Sequence, residues 1–373
     1  MGGAGARLRA MLGAGAAGPR GPWPETPPNP DTLAQVFHKR FAAPPAGVWH
    51  APGRLALMGE HTVASEGLGL YTALPWGVTV ALGPSEDGGV HVCRPGGPVR
   101  VRSTTATVVA RTVERARREG TAPPGTGVCA VVDTDLPAHA SLGRTAALRA
   151  ATSLALSDLS GAPPPEGTDA DERVALVARP GCAVRVNHKS LRTTVFPFDL
   201  AAEELHLLVA DTGALPRRDL RRVREEELRR AALALGPLRA VQDLPEALNR
   251  LPEAALARRV EYAVTEVHRL NAAVGLLRAE RFGELGPVLS ASHLSLRRFE
   301  LPTPDVDLVA EAASRAGARG ARMTGWRGAA FALVGDGRSD RVRANVERAF
   351  SGRGPRAPRL RTALPAAGAH RLR

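Results

Sequence analysis

The hydrophobic pattern along the chain starts after residue 30, with apolar residues at the spacing of an amphipathic helix. Leu33, Val36, Phe37 and Phe41 fall on one helical face. Asp31 or Thr32 is expected to cap this helix at its N-terminus. Runs of Val and Leu broken by Gly and Pro then predict a strand-rich region over residues 47–102.

Beyond residue 102 the pattern alternates between the helical and the strand period. Helices are predicted over residues 106–119, 144–159, 225–235, 260–277, 305–316 and 341–350. Strands are predicted over residues 128–132, around 184 and 195, and over 205–209, 320–324, 329–334 and 359–363. No internal repeat is visible. This mixture of elements predicts an α+β protein.

Two segments lack any apolar period. Residues 1–30 are rich in Gly, Ala and Pro and are expected to form a disordered leader. Residues 161–171 are rich in Pro, Gly and Asp and predict a loop. With 373 residues, the chain exceeds what one hydrophobic core usually organises, so two domains sharing a cleft are expected.

The formal charge of +13 is unevenly distributed. Residues 1–21 contain three arginines and no acid, and residues 353–373 contain six arginines and no acid. We expect these segments to be solvated basic tails, with no specific nucleic-acid partner. Nonspecific binding of a polyanion at low salt stays open as an alternative.

The remaining composition limits cofactors and compartment. Cys93, Cys129 and Cys182 are widely separated and lack a second metal ligand nearby, so reduced thiols are expected. No run approaches the roughly 20 apolar residues of a membrane span, so no membrane partner and a cytoplasmic location are expected. The only metal that we expect is Mg²⁺ carried by a nucleotide.

Four separated stretches of the chain carry a resemblance. Residues 51–62 read Ala-Pro-Gly-Arg-Leu-Ala-Leu-Met-Gly-Glu-His-Thr, and residues 321–325 read Ala-Arg-Met-Thr-Gly. Between them lie residues 181–191 and 290–296. In this order, the four stretches resemble the galactokinase family of GHMP small-molecule kinases. They correspond to that family's sugar-binding signature, the strand after its catalytic Asp, a C-terminal helix and the C-terminal glycine motif, which is residues 321–325 here.

The resemblance implies a two-domain GHMP kinase fold with the active site in the cleft. It implies an N-terminal GHMP domain over residues 31–200 and a ferredoxin-like C-terminal domain over 201–373, which ends in the basic tail. The implied small-molecule partners are ATP, with Mg²⁺, and a sugar phosphorylated at its anomeric hydroxyl. The oligomeric state is not predicted.

Within the signature, the resemblance implies that Arg54 supports the catalytic Asp and that Glu60 and His61 contact the sugar. An Arg beside an Asp keeps the carboxylate ionised and oriented. Alternatively, Arg54 forms an ordinary ion pair and His61 is a hydrogen-bonded turn histidine. Val63 stands where the family has an Asp that bonds two sugar hydroxyls, so galactose specificity is not supported at this position.

The family's phosphate loop aligns with residues 137–146, Pro-Ala-His-Ala-Ser-Leu-Gly-Arg-Thr-Ala. The resemblance implies that nucleotide is bound by Ser141, Gly143, Arg144 and Thr145, with Thr145 also on Mg²⁺. The three glycines of the family loop are absent here, and side chains disfavour close backbone approach and positive φ. A plain strand-to-helix turn is the alternative interpretation.

The catalytic Asp aligns with Asp171 by counting back from residues 190–191. Its neighbours do not reproduce the family's Gly-x-Met-Asp-Gln, and residues 167–172 could equally form an acidic surface loop. The C-terminal motif is shortened too, with Trp326 and Arg327 intruding among its glycines. These changes leave two main hypotheses, an impaired sugar kinase and an inactive homologue acting as a ligand sensor or interaction protein. Nucleic-acid binding through the basic tails is a weaker third.

Overall fold

A computed structural model describes residues 23–24, 26–99, 103–138, 140–215, 219–352 and 357–373. Its strands are β1 (Gly47–Met58), β2 (Leu68–Ser85), β3 (Val90–Cys93), β4 (Gly127–Thr134), β5 (Cys182–Asn187), β6 (Thr193–Pro197), β7 (Leu205–Asp211), β8 (Gly320–Thr324), β9 (Ala329–Gly335), β10 (Arg359–Ala363) and β11 (His370–Arg371). Its α-helices are α1 (Pro30–Phe41), α2 (Thr104–Arg118), α3 (Arg144–Ser160), α4 (Ala170–Val177), α5 (Leu220–Leu235), α6 (Leu244–Asn249), α7 (Ala254–Arg278), α8 (Leu285–Arg298), α9 (Pro304–Arg315) and α10 (Ser339–Ala349).

The first sheet is built around the long strand β2. One edge of β2 pairs antiparallel with β1, from Gly47 opposite Leu82 to Met58 opposite Leu70. The other edge pairs with β5 over the first half of β2 and with β4 over the second half. β3, β6 and β11 complete this sheet. The β1–β2 register shifts just before Arg54, and such a bulge redirects the side chain that follows it.

The second sheet has the antiparallel order β10-β7-β9-β8. Its two faces are buried in different places because side chains alternate along a strand. On β7, Leu207 and Val209 belong to the apolar cluster that contains the first sheet. Leu208 and Ala210 pack with helices α5, α7, α8 and α9 on the opposite side. The second sheet therefore lies between the first half of the molecule and its own helices.

Most predicted elements are confirmed, with two corrections. The helix predicted after residue 30 is α1, but its cap is Asn29, whose side chain accepts a hydrogen bond from the Thr32 amide at 2.9 Å. The segment expected to be a loop up to residue 171 instead begins α4 at Ala170. The division into domains at residue 200 stays a prediction, although the first sheet gives way to the second between β6 and β7.

The prediction that residues 1–30 form a disordered leader is wrong for the last part of that segment. Residues 1–22 lie outside the described part of the chain, but Trp23 is buried and its indole N–H donates to the Asp135 carbonyl at 2.9 Å. The Trp23 ring also packs edge-on against Trp76, with 4.7 Å between centroids. A large buried aromatic side chain contributes to the core, so the folded region includes Trp23.

The prediction of a solvated C-terminal tail is also wrong for residues 359–373. Arg359 pairs with buried Asp211, and the Arg361 guanidinium lies 4.6 Å from the Trp76 ring centroid. Arg371 lies over Trp49 at 5.2 Å, within β11, which pairs with β1. These arginines are held by acids and aromatic faces, because the strands β10 and β11 bring them into the two sheets.

Two smaller expectations can be checked in the described residues. Cys93, Cys129 and Cys182 are free thiols, as predicted. Within the part of the chain that the structure describes, no helix is long and apolar enough to cross a membrane.

Candidate active site

The structure brings Arg54 and Asp171 together as a bidentate ion pair. Arg54 donates from Nε to Oδ1 at 2.6 Å and from Nη2 to Oδ2 at 2.8 Å. Burial alone would lower the pKa of Arg54, but attraction and hydrogen bonding to Asp171 raise that pKa well above its usual range. The fork geometry of the two hydrogen bonds fixes the carboxylate's orientation.

Asp171 lies on the first turn of α4, so the expectation that it belongs to a surface loop is wrong. Asp169 is the N-cap, and its Oδ1 accepts a hydrogen bond from the Glu172 amide at 2.9 Å. The buried Glu172 carboxylate accepts two hydrogen bonds from Arg115, at 2.7 and 3.0 Å. The anchored helix end leaves the Asp171 side chain 32% exposed.

Arg54 and Asp171 both line a cavity of about 660 Å³. The other lining residues come from the loop before α3, from the first turns of α3 and α4, and from the second half of the chain. They are Pro137, Ala138, Ser141, Leu142, Gly143, Arg144, Thr145, Ala146, Arg149, Asp169, Leu215, Arg221, Trp326 and Arg327. Five lining residues are arginines and two are aspartates, so the cavity is suited to an anionic ligand.

The N-terminus of α3 opens directly into this cavity. Its N-cap is Gly143, with φ of 78° and no side-chain cap, and the first amide bonded within the helix is that of Ala147. The three preceding helix amides make no hydrogen bond to a residue that the structure describes, so they can bind a ligand. Burial and the nearby Arg94 lower the pKa of Arg144, which indicates a site rich in positive charge.

The loop before α3 is held by hydrogen bonds to its backbone carbonyls. Arg54 donates from Nη1 to the Ser141 carbonyl at 2.6 Å and from its amide to the Leu142 carbonyl at 2.9 Å. Ser141 has a φ of 54°, a left-handed conformation unusual for a residue with a side chain. A Cβ on Gly325 would lie 2.6 Å from the Ser141 Cβ, so this glycine permits the C-terminal loop to close onto the phosphate-loop segment.

Glu60 and His61, implied to contact the sugar, do not line the cavity. Glu60 is 4% exposed and accepts hydrogen bonds from Arg322 at 2.8 and 2.9 Å. Arg322 also contacts Glu266 at 3.2 Å and Ser292 at 2.8 Å. Burial would raise the pKa of Glu60, but attraction to Arg322 holds it well below its usual range. Here Glu60 joins the two halves of the molecule.

Trp326 separates His61 from the cavity. The two rings pack edge to face with centroids 4.5 Å apart, and His61 is 1% exposed. His61 Nε2 lies 3.3 Å from Glu60 Oε1, while Nδ1 has no hydrogen-bond partner among the described residues. Val63 is 44% exposed and is not among the cavity residues, so its side chain does not contact a molecule bound there.

Sequence reasoning missed Arg149 and Asp169, and noted Trp326 and Arg327 only as intrusions. Arg149 follows Thr145 by one helical turn on α3 and pairs with Asp169. That spacing and the Asp-x-x-Glu cap at 169–172 were the available signals. Behind Arg54, the Tyr71 hydroxyl is 2.9 Å from His188 Nε2, and burial lowers the pKa of His188 to about 4.

Comparisons with known proteins agree on one family. Residues 35–84 match the galactokinase galactose-binding signature, and residues 273–352 match the GHMP kinases C-terminal domain. The galactokinase of Streptomyces coelicolor is 33% identical, covering 91% of this chain and 98% of its own length. The galactokinase of Bos taurus is 30% identical, covering 88% and 94%.

Two solved structures share the architecture. Lactococcus lactis galactokinase complexed with galactose superposes with a TM-score of 0.81 at 21% identity, covering 91% of this chain and 98% of the other. Methanococcus jannaschii mevalonate kinase superposes with a TM-score of 0.61 at 12% identity, covering 86% and 98%. At these identities the similarity concerns the fold alone.

Proposed function

The chain belongs to the galactokinase family and has the two-domain α+β fold of GHMP kinases, and we propose that it phosphorylates a sugar at the anomeric hydroxyl with MgATP. The observation that carries this proposal is the Arg54–Asp171 pair in the wall of the cavity, beside the free N-terminus of α3. Arg54 and Asp171 are assigned as the catalytic residues.

Asp171 is suited to act on the attacking hydroxyl. Its carboxylate is oriented by two hydrogen bonds from Arg54 and is still one-third exposed. A carboxylate held in this way accepts a hydrogen bond from an acceptor hydroxyl and takes up its proton. The hydroxyl oxygen then bonds to the γ-phosphorus of ATP as the bond from that phosphorus to ADP breaks. Arg54 acts on the reaction by orienting Asp171, because both of its outer donors are already engaged.

The other end of the cavity fits a polyphosphate. The amides at the start of α3, with Arg144 and Arg149, place positive charge where the backbone is open, and Ser141 and Gly143 shape the turn. The Thr145 hydroxyl, on the same turn, is the side chain assigned to Mg²⁺. MgATP supplies the phosphoryl group that is transferred.

We also propose that turnover is slower than the 1–100 s⁻¹ common among kinases. The altered loop must hold Ser141 in a strained conformation, Trp326 covers His61, and Arg322 occupies Glu60. The same features support the alternative of an inactive homologue that binds ligands without turnover. Measuring ADP release with MgATP and a panel of sugars separates the two.

The decisive variant is Asp171→Asn. We expect at least a 100-fold loss of kcat with little change in melting temperature, because the isosteric amide keeps two polar atoms near Arg54 but cannot accept the proton. Asp340→Asn is the matched control, since Asp340 also lies in the first turn of a helix but is exposed and far along the chain. No detectable ADP with any sugar, at high enzyme concentration, would contradict the proposal.

A further inference from the structure

One part of the cavity, here called its C-terminal end, is lined by residues from the second half of the chain. Trp326 forms one face there, and the Arg221 guanidinium lies 5.6 Å from the centroid of its ring. Leu215 and Arg327 complete this end. Trp326 therefore contributes an apolar ring to the cavity wall, and the Arg221 guanidinium lies over that ring.

The charge at this end is only partly balanced. Arg221 bonds Glu225 through Nε at 2.8 Å, and that carboxylate is shared with Arg229 at 3.8 Å. Neither Nη group of Arg221 makes a hydrogen bond to a residue that the structure describes, and Arg327 forms no ion pair with any of them. The two cavity aspartates cannot compensate, because each already pairs with an arginine.

The two side chains implied to bind the hydroxyls of a neutral sugar do not line the cavity. The Glu60 carboxylate is occupied by Arg322, and His61 lies behind the indole. A ligand at this end therefore meets an apolar ring face and guanidinium donors, and guanidinium groups pair best with carboxylate or phosphate.

We propose that Trp326 and Arg221 determine acceptor specificity and select a sugar that carries an anionic group, a carboxylate or a phosphate, over a neutral hexose. This inference rests on the proposed kinase function, since it assigns the acceptor of the same site. The sugar ring lies against Trp326, and its anionic substituent pairs with the free Nη groups of Arg221, with Arg327 nearby.

The test compares galactose, galacturonate and galactose 6-phosphate as acceptors at saturating MgATP, with the full chain. At least one anionic acceptor should have a kcat/KM about tenfold or more above that of galactose, mainly through a lower KM. The relative rates of galacturonate and galactose 6-phosphate identify which anionic group is preferred. A higher kcat/KM for galactose would overturn the inference.

Arg221→Gln should remove most of the anionic preference, by raising the KM of the anionic acceptors. Arg229→Gln is the matched control, because Arg229 is on the same helix and pairs with the same Glu225 but does not line the cavity. An unchanged preference in Arg221→Gln would contradict the assignment. Trp326→Ala should lower the ratio of the anionic to the galactose kcat/KM, because it exposes His61. A higher ratio would contradict the assignment.

Failure of the kinase proposal can be told apart from failure of this inference. Calorimetric titration of the same sugars, with a non-hydrolysable MgATP analogue present, reports binding without turnover. If no acceptor is phosphorylated but the anionic sugars bind more tightly than galactose, the kinase proposal fails and the specificity assignment stands. Equal or tighter binding of galactose overturns the specificity assignment whatever the turnover.

Discussion

Two bidentate arginine–carboxylate pairs each take one member from residues 54–60, yet the pairs differ in surroundings. Glu60 and Arg322 are 4% and 0% exposed and share their charges with Glu266. Arg54 is equally buried, but its partner Asp171 is one-third exposed at the cavity. The first pair connects the two halves, and only the second presents a carboxylate to a ligand.

The difference shows that a motif residue's role depends on where its partner comes from. Glu60 meets an arginine 262 positions later, and that contact closes the interface over it. Asp171 meets Arg54 from the first turn of α4, and this position leaves part of the carboxylate exposed. A buried charge that loses its partner is costly, whereas an exposed one is rehydrated by water.

Arg322→Met should have the largest effect on stability. It leaves Glu60 and Glu266 buried without their shared cation, so we expect a loss of about 3–5 kcal/mol in the free energy of unfolding. This corresponds to a melting temperature roughly 10 °C lower. Arg315→Met, an exposed arginine on α9, is the control and should change stability little. A loss below about 1 kcal/mol for Arg322→Met would show that the Glu60 network does not hold the halves together.

Arg54→Met should show the opposite division between stability and activity. Asp171 is partly hydrated, so the melting temperature should fall by only a few degrees. We expect kcat to fall about 100-fold, because the carboxylate loses its orientation and the loop carbonyls lose their donor. Both values come from one protein preparation, by thermal melting and ADP release. A large stability loss with unchanged kcat would reverse the roles assigned to the two pairs.

The pH dependence of stability distinguishes the two regions further. The folded-state pKa of Glu60 is depressed, so its contribution is complete above its unfolded pKa of about 4.5 and is lost as pH falls below that value. In urea titrations, Glu60→Gln should therefore lose part of the decline that the wild type shows between about pH 5 and pH 3. An identical decline in both proteins would contradict this.

His188, behind Arg54, should act in a higher and separate pH window. Burial lowers its pKa from 6.5 to about 4, so the unfolded chain binds the proton first and stability falls as pH drops from about 7 to 4. His188→Gln should remove most of this pH dependence of stability, which amounts to about 3 kcal/mol. His38→Gln, on the exposed surface of α1, is the control. Equal slopes in the two variants would rule out His188 as the source.

Periodicity predicted most of the fold because packing and propensity agree along the chain. The predicted positions agree closely with the observed ones for the final elements β8, β9, α10 and β10. In each of them the apolar residues recur at the strand or helix period and face one core. Helix α4 was missed because its Pro- and Gly-rich approach obscured a cap. The helix is stabilised by its Asp169 cap and by the buried Glu172. It is too short to show a strong hydrophobic period in the sequence.

The candidate site could be predicted only in part. Resemblance identified Arg54, Asp171 and the turn before α3, all of which reach one cavity. It could not indicate that Glu60 and His61 are covered, because Arg322 and Trp326 come from the second half of the chain. Whether a motif side chain faces the ligand depends on contacts across hundreds of residues, which local spacing does not contain.

The position of β11 has a consequence for folding during synthesis. Its residues, His370 and Arg371, pair with His50 and Trp49 at the edge of the first sheet, yet they are translated after every strand of the second sheet. Domains usually form in order from the N-terminus as they are synthesised. Here the edge of the earlier sheet stays open while the later sheet is being made, so a ribosome-bound chain exposes an unpaired β1 edge that a chaperone or a second nascent chain can bind.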